Sequence, residues 1–165
     1  MKSQQILPIV KEWQERPLEE VYAVVFMDAI HYHVRSEGRI VKRAVYIALG
    51  IDMNGKKDVL GMYVGENESA KFWHDNWATL STYFKYPEAV RRLIYTTNAI
   101  EGFNRQLRKV TKSKTVFPSD DSLLKMLYLA TMDITKKWTG HRQDWGQIHS
   151  QLEIYFEERL IGRNL

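Results

Sequence analysis

The sequence predicts an α/β fold in which a three-stranded antiparallel sheet is followed by helices, and three observations predict it. Val21 to Met27 is an unbroken β-branched and aromatic run, the pattern of a buried strand. Two turn signals, Ser36-Glu37-Gly38-Arg39 and Asn54-Gly55, divide residues 21–65 into three antiparallel strands. Beyond Asn67 the apolar residues recur at three- and four-residue spacing, and strands do not resume.

Ahead of the sheet, residues 1–20 mix apolar and charged positions around Pro8 and Pro17, which predicts a short helix over Ile9 to Glu15 and a linker. The first strand is expected to be covered on both faces and to end on Asp28, after which HYHVR leads to the first turn. IVKRAVYIALGID returns as the second strand and KKDVLGMYVGE as the third. In the helical part, residues 66–165, the spacing of Trp73, Trp77, Leu80 and Phe84 predicts a helix that Pro87 interrupts. Another is expected from Asn98, a third from Ser119 or Asp120, behind Pro118, to about Trp138, and a last from about Asp144 to Leu160. A mixed α/β fold normally interleaves later strands with helices, and no run after residue 65 reads as a buried parallel strand.

A chain of 165 residues with 44% hydrophobic content fits one domain with a sizeable core. No apolar run approaches the length needed to cross a bilayer, and MKSQQILPIVKEW lacks the order of a signal peptide, so a cytoplasmic protein without a membrane partner is expected. The absence of cysteine excludes a disulfide framework and a thiolate zinc site. The net charge of +4 is unevenly placed. Residues 1–73 carry ten Lys/Arg and ten Asp/Glu, whereas Arg91 to Lys114 holds seven basic residues against one acid, Glu101. Such a block is the footprint of phosphate contact, or else a solvated helix face.

Two acids stand out. Asp28 follows an apolar strand, where a carboxylate is costly to bury unless paired, hydrogen-bonded or metal-bound; a surface acid at a strand end is the plainer reading. Glu101 lies three residues after Asn98, the geometry of a capping box. It also heads a helical stripe with Arg105, Arg108 and Lys112, an arrangement suited to a metal ion beside a phosphate chain. Gly102, costing about 1 kcal/mol against Ala in a helix, suggests close approach of a backbone or substrate. His31 and His33 alternate onto one strand face, a pair able to bind a transition metal with a third ligand, or polar strand residues near Asp28. Trp77, Trp138 and Trp145 fall on apolar helix faces and fit core packing better than base stacking. No glycine-rich phosphate loop, nucleophile elbow or zinc-ligand spacing occurs.

Three stretches, VVFMDAIHYHVRSEGRIVKRAVYIALGIDMNGKKDVLGMYVGENESAKFW, YFKYPEAVRRLIYTTNAIEGFNRQLRKVTKSKTVFPSDDSLLKMLYLA and KKWTGHRQDWGQIHSQLEIYFEERL, closely resemble the Mutator-type transposases of bacterial insertion sequences. The resemblance implies an RNase H-like domain in which two Asp and one Glu hold two divalent cations, Mg²⁺ or Mn²⁺, to cut DNA and join it to a target. Asp28 in MDAIHYHVR would be the first acid and Glu101 in TTNAIEGFNRQLRK the last, both metal ligands, with Arg105, Arg108, Lys109 and Lys112 contacting DNA. Two metals need a bridging carboxylate and others outside it, so two acids are rarely enough.

In the family a long segment carrying the second Asp follows ESAKFW; here ESAKFW runs directly into HDNW, and Asp75 sits among tryptophans without an apolar strand to place it. A missing segment is therefore expected at about residues 73–74, and the roughly twenty residues ahead of the first strand suggest an N-terminal truncation as well. The expectation is a single truncated RNase H-like domain of a transposase that works in DNA transposition with impaired strand cleavage and transfer. The alternative is a non-enzymatic remnant that binds DNA or associates with itself or with full-length transposase. A third is a decayed product whose sheet is left exposed.

Overall fold

Glu37 and Gly38 form the first turn, and both take positive φ, 49° and 75°. A two-residue turn of that kind matches the natural twist of paired strands. Accordingly β1 (Tyr22–Ser36) and β2 (Arg39–Asp52) pair antiparallel from Ser36 opposite Arg39 back to Val24 opposite Ile51. This computed structural model describes residues 6–65, 88–95 and 98–160. β3 (Lys57–Gly65) adds to β2, giving a sheet of order β1-β2-β3. The expected helix around Trp73 to Phe84, Asp75, Trp77 and the junction at 73–74 lie outside the described residues.

Two expectations for the first strand are corrected. β1 does not end at Asp28 but runs eight residues further to Ser36, because HYHVR keeps the alternation and pairs residue by residue with β2. It is also covered on one face only. Phe26, Ile30, Tyr32 and Val34 are buried, whereas Val25 and Met27 are 45% and 62% exposed on the other side, together with Tyr63 of β3 at 70%. The continuous apolar run therefore reflects a greasy outer face rather than a second layer.

The helices cover the inner face. α1 (Ile6–Gln14) begins three residues before its expected start, since Pro8 falls in the first turn, where a missing N–H costs nothing. Gln14 donates to the Met62 carbonyl, and Arg16, just beyond the helix, donates to the Val59 carbonyl at 2.8 Å, docking α1 on β3. α2 (Glu88–Tyr95) was not expected; Pro87 ahead of an apolar pair, Val90 and Leu93, both buried, was its signal. α3 (Asn98–Thr111) packs on β1, and beside it α4 (Asp120–Thr135) packs on β1 and β3. Ser119 caps α4, its hydroxyl accepting from the Ser122 N–H at 3.1 Å. The expected last helix is broken at Phe156 into α5 (Trp145–Tyr155) and α6 (Glu157–Leu160). Ile100, Phe103 and Leu107 of α3 and Leu123, Leu127 and Ile134 of α4 close the core over Ile47 and Leu49 of β2. No helix among the described residues is long and apolar enough to cross a membrane.

After residue 65 one described residue does meet the sheet in parallel. The Phe117 N–H donates to the His33 carbonyl and the Arg35 N–H to the Phe117 carbonyl, both at 2.8 Å, an isolated bridge on the outer edge of β1. At the other end of the sheet, the turn between β2 and β3 is held by the C-terminal segment. Gly55 there has φ +77°, and a Cβ on it would fall 2.6 Å from the Trp145 ring. Trp145 Nε1–H donates to the Met53 carbonyl at 2.9 Å, and the Arg142 N–H to the Gly55 carbonyl at 3.0 Å. Trp145 is 8% exposed and Trp138 packs edge-on to Phe103, so these tryptophans serve the core.

Candidate functional site

Strand alternation places Asp28 in the inward row of β1, between Phe26 and Ile30, where every neighbour in the row is apolar. Asp28 itself remains exposed. Its Oδ1 accepts from the Ala29 N–H at 2.8 Å and its Oδ2 from Asn104 Nδ2 at 2.6 Å. The second bond is short, as expected when the acceptor is charged. Asn104 belongs to α3 and is 1% exposed, and its Oδ1 is buried with no hydrogen-bond partner. An unpaired buried acceptor costs about 1–3 kcal/mol.

Glu101 stands in the first turn of α3, one turn before Asn104. Ile100, Phe103, Asn104, Leu107 and Thr111 make the buried face of this helix. Glu101, Arg105 and Arg108 are exposed and follow one another along the flank bordering Asn104, as three- and four-residue spacing requires. Lys109 is exposed too, while Lys112 lies just past the helix end, in the turn that follows Thr111, so the stripe is one residue shorter as a helical feature than expected. Burial pushes the Tyr32 hydroxyl above its ordinary value, opposed by Thr111 and by the charge of Arg108, which puts Arg108 at the β1 side of the helix.

The structure thus joins β1 and α3 at a junction where Asp28 meets Asn104, one helical turn beyond Glu101. It separates His31 and His33 from that junction: both are exposed on the outer face, opposite the row of Asp28, because they differ from it in strand parity. Among the described residues no backbone makes the close approach expected at Gly102, since a Cβ there would meet nothing within 4 Å. Asn104 was the residue that sequence reasoning missed. Its signal was a carboxamide three residues after Glu101, on the apolar face of the helix.

Among the described residues, Asp28 and Glu101 do not by themselves make a complete metal centre. Among the described residues, no three His, Cys, Asp or Glu side chains cluster closely enough to hold a metal ion. Both oxygens of Asp28 already accept protein N–H groups, one of them from the neutral amide of Asn104. A two-cation site needs more anionic oxygen than this pair offers.

The chain is a member of the Mutator family of transposases, whose sequence model matches residues 2–81 and 74–141. It is 26% identical to a probable transposase for an ISRM3-like insertion sequence element of Sinorhizobium fredii, over 96% of this chain and 65% of the relative. It is 26% identical to the ISRM3 transposase of Rhizobium meliloti, over 95% of this chain and 64% of the relative. A shorter match, 47% identical to the IS406 transposase of Burkholderia multivorans, takes in 39% of this chain and 16% of that one. The chain spans less than two thirds of the length of the first two relatives. The first match runs over 259 residues, whereas 96% of 165 is about 158, so roughly 100 positions of it have no counterpart here.

Proposed function

We propose that this protein acts in DNA transposition as a DNA-binding member of its family whose two-metal cleavage and strand-transfer chemistry is impaired. The observation that supports the reading is the Asp28–Asn104 hydrogen bond, which ties the strand bearing one acid of the family pattern to the helix bearing the other through a neutral amide. DNA contact through Arg105, Arg108, Lys109 and Lys112 is supported by their exposure along or just beyond one helix. Loss of an internal segment is supported by the two family matches, which overlap at 74–81, and by the excess length of the first relative's match. The donor set among the described residues does not fit the Mg²⁺ or Mn²⁺ pair that the family implies. Incubating the purified chain with terminal-repeat DNA and Mn²⁺ tests the reading. Binding without nicked or joined product is expected; metal-dependent product that Glu101→Gln abolishes would sink it.

A second reading is favoured by the sheet. Val25, Met27 and Tyr63 leave an apolar outer face, the kind of surface that a second copy or a full-length transposase could cover. Light scattering and co-purification with an intact copy would test this non-enzymatic, partner-binding role; a monomer that ignores the intact copy would refute it.

A further inference from the structure

The segment Lys137 to Arg142 and the β2–β3 turn border an open cavity of about 440 Å³ at the N-terminal end of α3. Nothing in the acid junction uses it. Lys57 at the start of β3, Lys137 beyond the end of α4 and Arg142 ahead of α5 line it, with Trp138 and the first residues of α3, Asn98 and Ala99. His141 lines it as well. Among the described residues that line it there is no Asp or Glu.

This is a held arrangement rather than a set of trailing lysines. The Arg142 N–H to Gly55 carbonyl bond fixes the loop to the turn, and Trp145 locks the same turn from behind. Lys57 Nζ stands 4.7 Å from the centre of the Trp138 ring, which is itself packed against Phe103. Burial pushes the pKa of the Lys57 ammonium below its ordinary value, through loss of hydration. An anion in the cavity would offset that loss. The first turn of α3, a helix of 14 residues, contributes backbone N–H groups without intrahelical acceptors and the positive end of the helix dipole.

We propose that this cavity binds a phosphate group of a DNA backbone. The inference rests on the DNA-handling reading above and extends it to a second contact point. Along α3, Arg105 and Arg108 lie about 10 and 15 Å beyond Asn98, at 1.5 Å per residue. That is roughly three to four nucleotide steps along one strand. A strand anchored by one phosphate in the cavity would therefore run past Glu101 toward the arginines on the same helix flank.

The test is the salt dependence of binding to a labelled DNA duplex of arbitrary sequence, by fluorescence anisotropy with the full chain. Lys57→Met combined with Arg142→Gln should weaken binding several-fold and reduce the slope of log affinity against log salt by about 1, the loss of one phosphate contact. Lys137→Gln, in an exposed turn where no fold defect is expected, should shift both in the same direction. An unchanged slope in these variants, while Arg105→Gln with Arg108→Gln lowers it, would overturn the cavity assignment alone. Wild-type protein that does not bind DNA would overturn the broader reading with it. A parallel titration with inorganic phosphate, read on the amides of Asn98, Ala99 and Arg142, separates the sources. Perturbation of these amides together with an unchanged DNA slope means a free-anion site and refutes the DNA assignment.

Discussion

The turn joining β2 to β3 and the junction between β1 and α3 both bring distant segments together, and they are finished differently. At the turn, the Asp52 carboxylate accepts the N–H groups of Asn54 and Lys56 at 2.8 and 2.9 Å, and the Gly55 N–H bonds to the Asp52 carbonyl at 3.0 Å. Trp145 then closes over the glycine with its own N–H satisfied. At the other junction an exposed acid interrupts an apolar row, and a buried amide gives its N–H to that acid while its oxygen finds no partner. The first pattern is what stability alone selects. The second keeps polar groups where an apolar pair would pack better, a departure that packing alone does not explain.

The contrast can be broken by substitution. Trp145→Ala should have the largest effect, about 3–5 kcal/mol in chemical denaturation, because it opens a cavity and orphans the Met53 carbonyl. Gly55→Ala should cost about 2–4 kcal/mol, combining the left-handed backbone with a methyl group driven into the indole. If Gly55→Ala proved neutral, the turn would not be the tight junction described. Asn104→Ala should cost only about 1 kcal/mol, since losing a bond to a carboxylate is offset by removing the unpaired oxygen. A loss as large as that of Trp145→Ala would place Asn104 among purely structural residues. Gly61→Ala, whose added methyl meets nothing within 4 Å, should stay within about 0.5 kcal/mol and serves as the control.

Much of the fold was legible because its signals are local. Gly38 and Gly55 mark turns that need positive φ, and Ser119 behind Pro118 marks a helix start, all within a few residues. The position of Asp28 within its strand was not, because a run of apolar residues conceals which face is covered; only pairing with β2 and packing of α3 reveal that the acid points inward. His31 and His33 were read as neighbours of Asp28 for the same reason, since nearness in sequence hides strand parity. Helix α2 escaped because Pro87 was taken as an interruption when a proline also opens a helix. At the site, Glu101 and its basic flank could be read from spacing, but Asn104 takes its meaning from a bond across 76 residues, which no local pattern carries.

The incomplete acid set is the central claim, and counting bound Mn²⁺ on the full chain by electron paramagnetic resonance tests it most directly. No saturable pair of ions is expected, and no difference between the wild-type protein and Asp28→Asn. Two ions bound per chain, lost in both Asp28→Asn and Glu101→Gln, would contradict it.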